Sequence, residues 1–161
     1  MDIFGQKRGQ GATEYLVLLA VVLIVAMVAI ALLGFFPGLA GDAKKTQSDA
    51  YWRGEARPFA VLEHSQTGTS LIVVLQNVEA EQRILTNGTF TGQGSTGNLN
   101  VTAANQYFSA GEKRAFTLAL SQNCTSGSTY EYNVNITYSN ADLTITGQKQ
   151  FGAKTLVGKC S

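Results

Sequence analysis

The chain has 161 residues, with 12 basic and 11 acidic side chains, one His and two Cys. That length suits one domain with an appendage and excludes a large multidomain enzyme. A formal charge of +1 offers no field to gather nucleic acid or an anionic bilayer, and one His with two Cys, unspaced as ligands, does not make a zinc site; no cofactor or metal is expected.

Taken from the N-terminus, the first feature is a block of apolar residues. No charged side chain occurs from Tyr15 to Ala40, and Tyr15 to Leu33 contains no polar group except the tyrosine hydroxyl. As a helix, Tyr15 to Phe36 would be about 33 Å long, enough to cross the roughly 30 Å hydrocarbon layer of a bilayer. Being apolar on every face, it cannot lie over a soluble core as an amphipathic helix would, so lipid or other copies of itself must surround it. Lys7 and Arg8 precede the block, which orients the remainder of the chain outward. Cys124 and Cys160, the only thiols, both fall in that exported part, as a disulfide formed in an oxidising space requires.

The entry to the block reads Lys7-Arg8-Gly9-Gln10-Gly11-Ala12-Thr13-Glu14-Tyr15. An ordinary secretory signal has its small-residue cleavage site after the apolar region, which leaves open a cut of Ala-Gly type near Gly41. Glu14 argues otherwise, because an acid at the mouth of a membrane segment is costly and marks function. These residues resemble the class III signal peptide of archaeal type IV pilins: basic residues and a glycine, then a glutamine, a short polar stretch, a glutamate and the apolar helix. The resemblance is specific over residues 6 to 36 and looser beyond. It implies that a prepilin peptidase cuts between Gly9 and Gln10 on the cytoplasmic side, removing residues 1–9 and leaving the helix on the mature protein, with Glu14 at its fifth position. It further implies a homopolymeric cell-surface filament built by an assembly platform and its ATPase, from a membrane precursor with its head outside. Archaellin leaders lack the Gln-x-x-x-Glu arrangement. The competing reading is an uncleaved signal anchor tethering a monomeric solute- or sugar-binding domain; loss of the first nine residues and sedimentation as filaments would separate the two.

Gly34, Pro37 and Gly38 interrupt the helical pattern, so a kink or melted turn is expected near 34–38. It would serve either as the stop of the membrane helix or as a joint in a bending rod. Asp42 to Arg53 is again amphipathic, with Ala43, Ala50 and Tyr51 as inward candidates, and the N-terminal helix is expected to span 10–53.

From residue 54 the texture changes to short apolar runs between Gly, Asn, Ser and Thr. Thr69 to Gln76 reads as a strand buried on both faces, and Tyr130 to Tyr138 alternates strictly. Shorter candidates are Phe59–Glu63, Gln82–Thr86, Leu99–Thr102, Ala115–Leu120, Leu143–Thr146 and Lys154–Val157. With turn signals at Asn87-Gly88 and Ala110-Gly111, they predict an α+β protein: a long apolar helix, then an antiparallel immunoglobulin-like β-sandwich head over 54–161.

No phosphate loop, Ser-His-Asp set or isolated carboxylate pair stands out, and the head reads as non-enzymatic. Cys124 and Cys160 are expected to bridge; a catalytic Cys with His64, in another candidate strand, is disfavoured. Glu79 and Glu81 read as solvated turn acids. Tyr51, Trp52, Tyr107 and Phe108 read as packing aromatics more than as an exposed stacking platform. Four Asn-x-Thr triplets, at Asn87, Asn100, Asn123 and Asn135, are glycosylation candidates in an exported chain, or else the polar faces of strands. Alternation places Asn100 and Asn135 toward solvent.

Overall fold

A computed structural model describes residues 10–161. The chain divides into two units, which meet between Asp42 and Ala43. The first is the apolar part of a single helix, α1 (Gln10–Ala50). Leu, Val, Ile and Ala repeat there without a polar stripe, and every described side chain from Thr13 to Leu33 is exposed. The melted turn expected at Gly34, Pro37 and Gly38 does not form, because α1 continues through all three. Proline removes one amide donor, but its fixed φ is itself helical, so the turns on either side persist.

The second unit begins with the last turns of α1 and a short π-helical turn, Tyr51–Glu55. Its inward face is not the expected one. Ala43 and Ala50 are exposed, Tyr51 is half-buried, and Ser48 and Trp52, four residues apart, are buried. A polar residue takes the central place because it has two backbone partners: Ser48 Oγ donates to Thr155 O at 2.8 Å and accepts the Val157 N–H at 2.9 Å.

Eight strands follow: β1 (Phe59–Asn77), β2 (Arg83–Gly92), β3 (Ser95–Asn98), β4 (Tyr107–Phe108), β5 (Lys113–Cys124), β6 (Thr129–Asn140), β7 (Gln148–Phe151) and β8 (Leu156–Lys159). β1 pairs antiparallel with β5, with Leu71 opposite Leu118 and Val73 opposite Phe116. The second sheet runs β3-β2-β6-β7, with β4 added to β2 and β8 to β6. The inward rows of both sheets, including Leu71, Val73, Phe90, Phe116, Tyr132 and Ile136, join with Trp52 in one core. The architecture is therefore a long apolar helix followed by an antiparallel, β-rich head.

Several expected elements are redrawn. Phe59–Glu63 and Thr69–Gln76 belong to one 19-residue strand, and the second part alternates instead of being buried on both faces: Leu71, Val73 and Leu75 point inward while Ile72 is 47% exposed. Asn87-Gly88 makes no turn and lies within β2, where a Cβ on Gly88 would stand 2.3 Å from Leu99 Cδ1. Glycine is there to admit a neighbouring side chain. Leu99–Thr102 is loop, and the pairing strand is the preceding, less apolar Ser95–Asn98. Leu143–Thr146 is an exposed connection with Leu143 at φ 57°. The turn at Ala110-Gly111 and the alternation of Tyr130, Tyr132, Val134 and Ile136 into the core are present as expected.

Buried amides tie the sheets together. Gln150 accepts the Phe59 N–H at 3.0 Å and donates to the Phe59 carbonyl at 2.8 Å. Gln66 accepts from the Tyr132 hydroxyl at 2.8 Å and donates to the Gly68 carbonyl at 3.1 Å. The Cys124–Cys160 disulfide, with Cα atoms 5.7 Å apart, joins the end of β5 to the segment after β8.

Candidate functional site: the helix entry and the face of the head

Gln10 opens α1 and Glu14 lies one turn further on, exposed. Gly9, the other half of the expected scissile bond, lies outside the described residues. Beyond Glu14, Thr13–Leu33 is long and apolar enough to cross a membrane by length and composition, and none of it is buried. The sequence thus juxtaposes an acid with a fully apolar cylinder, whose surface needs lipid or protein around it.

In the head, the expected site residues do not converge. Asn87, Asn100 and Asn123 are exposed on β2, the β3–β4 connection and the end of β5. Asn135 departs from expectation: it is half-buried on β6, with Oδ1 inaccessible and without a hydrogen-bond partner. Register explains this, since Asn135 lies between Thr89 of β2 and Phe151 of β7 in the sheet interior. Trp52 and Phe108 are buried, whereas Tyr107 is 45% exposed. Glu79 is half-buried, 3.9 Å from Arg57, and Glu81 is exposed, 3.5 Å from Arg83.

One polar cluster escaped the sequence reading. His64 on β1 shares a hydrogen bond between Nδ1 and the Tyr130 hydroxyl, 2.7 Å away, and its Nε2 lies 3.4 Å from Asp49 on the last turns of α1. Burial pushes the His64 pKa down, opposed by Asp49 and reinforced by Lys45 and Arg53. Burial, with Tyr132 and Asp49 adding to it, holds the Tyr130 phenol well above its ordinary range. The three side chains fasten the helix end to β1 and β6. Beside them Lys44 pairs with Glu131 at 2.6 Å, and this pairing, with a hydrogen bond from Thr155, lowers the Glu131 pKa. No sequence signal marks these contacts, because β6 is 66 residues from His64 and 87 from Lys44 along the chain. Among the described residues, no group of three or more His, Cys, Asp or Glu could hold a metal ion.

Residues 7–33 match the family model described as Class III signal peptide. No curated protein matches the chain. The matched segment covers the basic pair, the Gly9-Gln10 junction, Glu14 and the apolar helix as far as Leu33, and it is a type IV pilin-like prepilin signal. A signal of this class indicates processing by a prepilin peptidase and, with the apolar helix behind it, a membrane-anchored precursor.

Proposed function

We propose that the chain is a structural subunit of a type IV pilus on the cell surface, acting by assembly and not by catalysis. The observation that carries this reading is the apolar helix Thr13–Leu33, exposed along its whole length and placed directly behind a prepilin-type junction. A signal cut before its apolar region leaves that region on the mature protein, where it becomes the polymer contact. Lipid surrounds it in the precursor; in the filament, copies of the same helix replace lipid, approaching along small residues such as Ala20, Ala26 and Ala29. The heads coat the outside and provide surface attachment.

Two measurements on cell-surface material test this. Intact mass should place the mature N-terminus at Gln10, and sheared material should show filaments by negative-stain microscopy. Retention of Met1 on assembled protein, or a start near Asp42, would overturn the proposal and favour a tethered monomer.

A further inference from the structure

The four Asn-x-Thr triplets occupy unequal structural positions. In the β2–β6 ladder Asn87 is opposite Thr137 and Thr89 is opposite Asn135, so two triplets are knitted to each other. Asn135 is also opposite Phe151 of β7. Presenting either triplet to an enzyme would require parting the two strands that carry much of the core. Asn123 is exposed, but its triplet passes through Cys124, which pairs with Gly68 and is covalently held to Cys160.

Asn100-Val101-Thr102 is different. It lies outside any strand, between β3 and β4, with Asn100 and Thr102 exposed. Leu99 is 5% exposed and Val101 packs against the core, so the loop is anchored beneath while the two polar side chains face water. One neighbour shapes the backbone: Asn105 Nδ2 donates to the Asn100 carbonyl at 2.8 Å, and the Thr102 N–H donates to Asn105 Oδ1 at 2.6 Å. The triplet is therefore fixed in an exposed loop just ahead of the turn at residues 103–105, with the Asn100 amide and the Thr102 hydroxyl on exposed residues.

We propose that Asn100 is the N-glycosylation acceptor of the folded head and that the other three triplets are not. The donor class is a sugar carried on a lipid phosphate. The anomeric carbon bonds to Asn100 Nδ2 as its C–O bond to the phosphate breaks, the lipid phosphate leaves with the electron pair, and the amide gives up one proton; nothing is oxidised or reduced. A transferase must reach the Asn amide and the Thr hydroxyl together, which an exposed loop allows and a strand inside a sheet does not. The proposal needs export of the head but not polymerisation.

The test is mass spectrometry and glycopeptide mapping of the full chain purified from the cells that make it, for wild type and single variants. A sugar increment is expected on the wild-type peptide containing Asn100, lost completely in Asn100→Gln and in Thr102→Val, and kept in Asn87→Gln, Asn123→Gln and Asn135→Gln. Thr102→Val retains the asparagine and removes only the hydroxyl, which separates loss of the motif from loss of the side chain. An unmodified wild-type chain, or sugar mapped to Asn87, Asn123 or Asn135, would overturn the proposal. The mature N-terminus read in the same spectra reports separately on the pilin reading.

Discussion

Gly158 in β8 has no room for a side chain: a Cβ would stand 2.3 Å from both Cζ and Oη of Tyr130. Tyr130 cannot retreat, since it is 1% exposed and its hydroxyl is bonded to His64. Gly158→Ala is expected to destabilise the head by about 1 to 3 kcal/mol through overpacking, read as a lower urea midpoint. An unchanged midpoint would mean that the tyrosine moves freely. His64 itself makes stability depend on pH. Its folded pKa lies below the ordinary 6.5, so above that value both states are neutral and its contribution is complete. As pH falls below 6.5 the unfolded chain takes up the proton first, and stability declines until the folded histidine also titrates. The urea midpoint should therefore drop between about pH 7.5 and about pH 5.5, and drop less in His64→Gln. An equal decline in both proteins would assign the effect to the carboxylates.

Among elements, β7 shows how a side chain can stand in for strand pairing. Gln150 satisfies both the N–H and the carbonyl of Phe59 at the start of β1, all of it buried. Gln150→Leu keeps the volume but orphans two backbone groups, for an expected loss of about 2 to 6 kcal/mol at roughly 1 to 3 each, measurable by urea unfolding. Such a tie is illegible in sequence, where Gln150 is one polar residue in a four-residue strand. β6 is legible because Tyr130, Tyr132, Val134 and Ile136 alternate with polar residues, and burial imposes the same period. The apolar helix was legible for a related reason, since length and composition alone set its environment. Asn87-Gly88 misled because its usual turn meaning is local, whereas Gly88 answers a distant demand from Leu99. Leu143–Thr146 misled because apolar residues flanked by polar ones can decorate a surface connection as well as a strand. Covalent closure acts at this scale too: the Cys124–Cys160 bridge spans a sequence separation of 36. Chain entropy assigns such a loop roughly 4 kcal/mol. Reduction should lower the urea midpoint accordingly, while alkylation of both thiols on unfolded, unreduced protein would show that the bridge is not formed in cells.

At the scale of the whole molecule, the two units have different solvents. The head closes its own core, whereas the described helix from Thr13 to Leu33 buries none of its apolar surface within the chain. That imbalance leaves the helix to be covered by lipid or by protein, and Glu14 stands at its N-terminal edge. Glu14 lies one turn into the described part of α1, and as a helix-end acid it would contribute only about 0.3 to 1 kcal/mol. Inside a bundle its carboxylate would leave water, which is expensive unless a cation meets it. Cleavage after Gly9 would create such a cation, the α-amino group of Gln10, one helical turn away along the sequence. Pairing between Glu14 of one subunit and that amine of a neighbour would set the register of an incoming subunit. Glu14→Ala, expressed at the wild-type level, is expected to yield cleaved, membrane-resident protein, a folded head with an unchanged urea midpoint, and few filaments. Wild-type filament yield from the variant would show that apolar packing alone sets the register, and retention of residues 1–9 would place Glu14 in peptidase recognition instead of assembly.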